Sequence, residues 1–190
     1  MKVRVYPNRV TINGYVNVCE RISKKLCEQG KEFYEKIREG AFNDAIARNN
    51  NIKLLLNHDY SKELANTNSN LTLYEDSIGL YAEAEIRDME VVEKAKNGQL
   101  HGWSFGFVPL KETSETLYRD LPLRSVEYLN LYEVSILDNE HIPAYNSMSL
   151  NVRSDLNETM EIRSFKDVEV TKIDNDKFIN EIKNYLDERK

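Results

Sequence analysis

Leu100-His101-Gly102-Trp103-Ser104-Phe105-Gly106-Phe107 is a short apolar run with one hydroxyl at its centre, and it reads as a strand. With side chains alternating between faces, Gly102, Ser104 and Gly106 fall on one side and His101, Trp103, Phe105 and Phe107 on the other. The aromatic side can anchor the strand in a core. The other side presents a lone hydroxyl between residues that have no side chain. Glycine inside a strand costs stability and marks places where a ligand or another backbone comes close. Ser104 is therefore a candidate nucleophile with space beside it for an extended peptide. The plain alternative is a glycine-rich core strand with an incidental serine, and only partners from elsewhere in the chain can decide.

Working outward, Asp88 precedes Met89 to Lys96 with Val91, Val92 and Ala95 on one helical face, and Asn97-Gly98 follows as a left-handed stop. A short capped helix thus leads into the Ser104 strand. Before it, Leu80, Ala82, Ala84 and Ile86 alternate with polar residues as a half-wet strand. Ile52-Lys53-Leu54-Leu55-Leu56 suits a buried strand and delivers Asn57-His58-Asp59 at its end. Residues 61–70 read as a polar loop. Val3 to Tyr6 and Gly14 to Val18 form an opening strand pair between turn signals. Residues 20–37 stay open between helix and strand, and residues 40–47 read as a loop feeding a short helix.

After the Ser104 strand, residues 109–127 are polar enough for a mobile connection. Residues 128–137 resume β character, with Leu129, Leu131, Glu133, Ser135 and Leu137 on one face. A carboxylate in so apolar a row needs a partner. The main domain is expected over 1–150. Residues 151–190 then form a polar tail with a strand pair around 160–173. It ends in an amphipathic helix, Phe178, Ile179, Ile182, Tyr185 and Leu186, that packs on its own domain or docks on a partner.

With 190 residues, 41% of them hydrophobic, the chain can build one domain with a real core. A net charge of −6 argues against nucleic acid as the main partner. Charges at Lys2, Arg4 and Arg9 sit where a signal peptide needs apolar residues, and no run reaches membrane-spanning length, so a soluble, unexported protein is expected. Cys19 and Cys27 lack C-x-x-C spacing and read as reduced thiols. No cofactor or metal is expected. A metal-dependent hydrolase using His58, Asp59, His101 or His141 is a weaker reading, because three scattered histidines without an H-E-x-x-H spacing make a poor ligand set.

Three separated pieces remain: His58 at a strand end, Ser104 between glycines, and Glu133 on a later strand. A serine hydroxyl needs an imidazole to take its proton and a third group to orient the ring. Leu55-Leu56-Asn57-His58-Asp59, Gly79-Leu80, Gly98 to Phe107, Leu131-Tyr132-Glu133-Val134-Ser135-Ile136-Leu137 and Pro143-Ala144-Tyr145, with Gly40-Ala41-Phe42 upstream, resemble the prohead (capsid maturation) proteases of tailed bacteriophages. Those enzymes are similar in fold and catalytic logic to herpesvirus assembly proteases.

The resemblance implies an α+β fold with a mainly antiparallel, β-barrel-like core and a few surrounding helices. It implies a serine endopeptidase with His58 as general base, Ser104 as nucleophile and Glu133 as the third member, with His141 kept in play because the herpesvirus relatives use a second histidine. The oxyanion donors stay open between backbone N–H groups near Ser104 to Gly106 and an arginine-held water. The implied substrates are the phage major capsid protein, scaffold segments and the chain itself. The implied setting is the immature capsid in the bacterial host cytoplasm, and the implied state is a homodimer. On this reading residues 151–190 are a removable, targeting or docking tail. The alternative is a catalytically silent assembly or scaffolding protein on the same fold.

Overall fold

The computed structural model describes residues 1–139, 147–150, 160–165 and 169–172. Among the described residues the chain is mostly strand with two helices, and its larger sheet curls into a half-barrel. β1 (Lys2–Val5) and β2 (Val10–Val18) form the expected opening pair. The segment open between helix and strand resolves as a hairpin of β3 (Leu26–Glu28) and β4 (Lys31–Ile37), because Gln29 and Gly30 take positive φ of 49° and 80° and close a tight turn. α1 (Ala41–Arg48) follows Gly40, whose φ of 89° turns the chain into the helix. The Glu75 carboxylate accepts from the N–H groups of Gly40 and Asn43 at 2.7 and 2.6 Å, satisfying amides the helix start leaves unpaired.

β5 (Lys53–Leu56) returns as β6 (Asp59–Asn66), followed by β7 (Leu71–Glu75) and β8 (Gly79–Ile86). α2 (Met89–Lys96) is capped as its sequence suggests: the Asp88 carboxylate accepts from the N–H groups of Glu90 and Val91. β9 (Leu100–Tyr118), β10 (Leu121–Asp138), β11 (Ser147–Leu150), β12 (Met160–Phe165) and β13 (Glu169–Lys172) complete the order.

Two segments expected as loop are strand. Of the stretch 61–70, residues 61–66 belong to β6 and pair with β5, while 67–70 form the turn that follows. Residues 109–127 are not a connection but the far half of a long β9–β10 hairpin. Its turn residues Arg119 and Asp120 both have positive φ, 50° and 65°, which suits the right-handed twist of a two-residue hairpin. The polar sequence is compatible with strand because cross-strand pairs use it. Lys111 meets Glu127, Thr113 donates to Glu127 at 3.0 Å, and Arg124 Nε donates to Glu112 at 2.8 Å.

One sheet runs β13-β1-β2-β8-β7 and the other β11-β12-β9-β10-β4-β3, with β5 also beside β10 and β6 beside β5. Both sheets contribute to one core: Ile12, Leu80 and Ile86 from the first, and Phe105, Phe107, Leu131, Val134 and Ile136 from the second, with Phe42, Val91 and Val92 from the helices. Phe42 meets Phe105 edge-on at 5.4 Å and Phe105 stacks on Phe107 at 5.3 Å. Each fully buried side chain of this size contributes roughly 1.5–3 kcal/mol, so the aromatic face of β9 fixes the strand firmly. β12 and β13 do not pair with each other. β12 adds antiparallel to β9, and β13 adds parallel to β1. The C-terminal amphipathic helix and His141 lie outside the described residues.

Candidate active site

The site is set by a bulge in β10. Leu131 lies opposite Phe107, but Glu133 lies opposite Gly106, so two steps along β10 match one along β9. Since neighbouring β9 residues face opposite ways, the bulge at Tyr132 moves Glu133 off the Leu129–Leu131 face. Glu133 and Ser135 now share the face of Gly106 and Ser104, and Val134 and Ile136 join the core. Strict alternation had placed Glu133 in a continuous row with Leu129 and Leu131, and it failed at this residue.

Gly106 makes the arrangement fit. A Cβ there would stand 2.4 Å from Glu133 Oε1 and 2.7 Å from Met160 Sδ. The space beside this glycine holds the carboxylate and the Met160 side chain, where the sequence suggested room for a peptide. Glu133 has 0% of its surface exposed. It is matched by two bonds: His58 Nδ1 to Oε1 at 2.8 Å, and the Ser135 hydroxyl donating to Oε2 at 2.5 Å. A buried carboxylate so held is satisfied and oriented.

His58 is placed by a two-residue turn between β5 and β6, in which Asn57 and His58 have φ of 55° and 63°. A non-glycine residue there is costly, and such strain persists only where the surroundings enforce it. They do. Asn57 N–H donates to the Ile136 carbonyl at 2.9 Å, Asn57 Oδ1 accepts from Asp138 N–H at 3.0 Å, and His58 N–H donates to Ser135 Oγ at 3.2 Å. The turn is clamped to β10 beside the carboxylate. The side chain is 8% exposed, and its Nε2 is buried without a hydrogen-bond partner. With Nδ1 facing a carboxylate, Nδ1 is the donor of the pair, and in the neutral ring Nε2 is then the acceptor.

Ser104 is 0% exposed and lies directly opposite Ser135, on the Glu133 face of the sheet. Its hydroxyl does not bond His58. It donates to the Arg163 carbonyl at 2.8 Å and lies 3.2 Å from Ser164 Oγ, both on β12. His58 and Glu133 are thus in contact, while Ser104 stands one cross-strand neighbour away with its hydroxyl engaged elsewhere. His101 sits outside this cluster, in a bulge opposite Leu137 and Asp138. Asp59 accepts from the N–H and hydroxyl of Ser61 in a local turn. Among the described residues, no three His, Cys, Asp or Glu side chains form a group that could hold a metal ion.

Reading by residue type missed Ser135, whose hydroxyl bridges the His58 backbone and Glu133, and, although a strand was expected near residue 160, the place of β12 beside Ser104. The only sequence signal for Ser135 was its place two residues after Glu133. For β12 it was the β character read around 160–173, which names no neighbour for the strand.

The arrangement provides an oriented imidazole with an open Nε2, a buried carboxylate behind it, and a serine on the same sheet face, which is the equipment for acyl transfer. No curated protein and no solved structure matched the chain. A family model did match, over residues 1–163, and by it the chain belongs to the caudovirus prohead serine proteases.

Proposed function

We propose that this chain is the maturation endopeptidase of a phage prohead, with Ser104 as nucleophile, His58 as general base and Glu133 as the group that orients and charge-matches the imidazole. The observation that carries the proposal is the Glu133–His58 bond, with Nε2 left open on the sheet face that carries Ser104. The Ser104 hydroxyl turns from the Arg163 carbonyl toward Nε2 and gives its proton there as Oγ bonds to the substrate carbonyl carbon. The resulting imidazolium is stabilised by Glu133 and passes the proton to the leaving amine as the C–N bond breaks. Water, deprotonated by the same Nε2, then attacks the acyl-enzyme, and the proton returns to Oγ as the acid product leaves.

The substrates on this reading are capsid-protein and scaffold segments enclosed with the enzyme in the immature capsid within the host cytoplasm. The chain itself is a further substrate, with residues 151–190 as its removable tail, and the working unit is a homodimer. His141 is the alternative third group to Glu133. The competing reading, a silent assembly protein, rests on the Ser104 bond to β12, which keeps the hydroxyl off His58. Labelling decides between them. A fluorophosphonate should modify Ser104 in the full chain, and co-expression with the neighbouring capsid and scaffold proteins should give shortened products that vanish in Ser104→Ala. Products that persist unchanged in that variant would exclude this nucleophile.

A further inference from the structure

β12 lies across the nucleophile in the manner of a bound peptide. It pairs antiparallel with β9, Ser164 standing opposite Ser104 and Arg163 opposite Phe105, and it offers the Arg163 carbonyl to the Ser104 hydroxyl at 2.8 Å. Alternation puts Glu161 and Arg163 on the face away from Ser104, and both side chains are buried in charged surroundings.

The Arg163 guanidinium is held in a fork by Glu35, Nε to Oε1 at 2.7 Å and Nη2 to Oε2 at 2.8 Å. Glu35 lies on β4 and is itself buried. Arg124, on β10, reaches both oxygens of Glu161, at 2.7 and 2.8 Å. Glu161 in turn accepts from Arg163 Nη2 at 2.6 Å.

Stability alone is a poor reason for such a cluster. Well-packed apolar residues of similar volume often stabilise a buried site as well as an ion pair or better, whereas charges specify register. Here a slip of one residue would set Ile162 against Glu35 and turn Arg163 toward the Ser104 face. The half of the cluster outside β12 also remains paired without it, since Arg124 contacts Glu35 at 3.2 Å and donates to Glu112 at 2.8 Å. Glu35 and Arg124 therefore form a prepared receptor with one position for a cation and one for an anion.

Resting on the protease reading, we propose that β12 occupies the peptide-recognition groove of the enzyme. Glu35 receives a substrate arginine and Arg124 receives an acidic side chain two residues before it, so the substrate class is an extended Glu-x-Arg strand cut after the arginine. The bond broken is the Arg–X amide. Ser104 Oγ takes the arginine acyl group, the X amine leaves with the proton from His58, and water completes the hydrolysis. In the resting chain Met160-Glu161-Ile162-Arg163-Ser164 fills the groove and covers the nucleophile.

The test uses the full chain, its Arg163→Gln and Glu161→Gln variants, and the blocked octapeptide Thr-Met-Glu-Ile-Arg-Ser-Phe-Lys, which copies residues 159–166. Weakening β12 should speed fluorophosphonate labelling of Ser104 by at least about tenfold, because a broken buried pair leaves a charge unmatched. If Arg163→Gln loses its cooperative melt, Glu161→Gln carries the same comparison with the Arg163–Glu35 fork intact. Added to the opened variant, the octapeptide should slow labelling and be cut between Arg and Ser. Versions with Arg→Gln or Glu→Gln should do neither, and Glu35→Gln in the protein should erase the preference for arginine.

Parental labelling rates in both variants, or equal competition by the charged and uncharged peptides, would overturn the proposal. Absence of labelling and cutting in every form, while a fluorescent octapeptide still binds Arg163→Gln with the same charge dependence by anisotropy, would uphold the groove and sink the protease reading instead.

Discussion

Replacing Glu133 by Gln tests the site at its centre without disturbing its shape. The carboxylate has no exposed surface and two partners, His58 Nδ1 at 2.8 Å and the Ser135 hydroxyl at 2.5 Å. Glutamine has the same size and can still accept from Ser135 with its amide oxygen, so the fold should survive. The amide NH₂ then faces Nδ1, which must become an acceptor, and the proton moves to Nε2, where it blocks the base. The imidazolium formed on proton transfer also loses its counter-charge. At an effective dielectric of about 20, unit charges at this separation attract by about 6 kcal/mol. A rate loss of about 10⁴-fold corresponds to about 5.4 kcal/mol, the scale seen when a triad carboxylate becomes an amide. The assay is the ratio of Ser104 fluorophosphonate labelling rates in Glu133→Gln and parent chains. Both carry the same β12, so its opening equilibrium cancels. His141→Gln, measured alongside, should change the rate by no more than a few-fold. A Glu133→Gln chain that labels within tenfold of the parent, with His141→Gln reduced by orders of magnitude, would assign the third role to the histidine and refute the argument.

Gly106→Ala should force the carboxylate about 1 Å from its bonds, since the new methyl would stand 2.4 Å from Oε1; a displacement of that size costs about 100-fold in rate, read by the same labelling, and a parental rate would show the carboxylate free to move. Asn57→Ala loses the bond to Asp138 N–H and puts a Cβ residue without a polar side chain at positive φ, which should cost about 1–3 kcal/mol in denaturant unfolding; an unchanged midpoint would show that the turn is not clamped. The Cys19 thiol is raised in pKa by burial and then by its bond to Glu75, whereas Cys27 is exposed, so a thiol reagent at neutral pH should modify Cys27 and leave Cys19 intact until unfolding, as peptide mass mapping would show. Burial raises the Glu161 carboxyl, but its bonds to Arg124 and Arg163 outweigh this and hold it below the ordinary value. Its contribution is therefore complete above the unfolded value and lost as pH falls through the lower folded one. Hydrogen exchange of β12, corrected for intrinsic rates, should accelerate below about pH 4 in the parent, and Glu161→Gln should flatten that dependence.

What the sequence disclosed and what it withheld separate along one physical line. Local patterns carried over well: Asp88 caps α2, the alternation of Leu80, Ala82, Ala84 and Ile86 buries one face of β8, and His58 stands at the end of a Leu-rich strand. Each needs only a few consecutive residues. The site depends on register between distant strands, and register is set by bulges and turns that side-chain pattern does not encode. Tyr132 is one extra residue in β10, yet it decides whether Glu133 joins the core row or meets His58. Arg119-Asp120 contains no glycine, so the tight turn that makes residues 109–127 a hairpin had no signature. Polarity misled for the same reason, because charges paired across two exposed strands look in sequence like a loop. β12 was least legible of all: its place beside Ser104 is fixed by Glu35 and Arg124, which are 89 residues apart from each other and belong to two other strands. Motif spacing could bring His58, Ser104 and Glu133 to notice. Only the ladder of β9 with β10 and β12 explains why one glycine must stay small, why Ser135 bridges the His58 backbone and Glu133, and why the Ser104 hydroxyl rests against the carbonyl of an arginine.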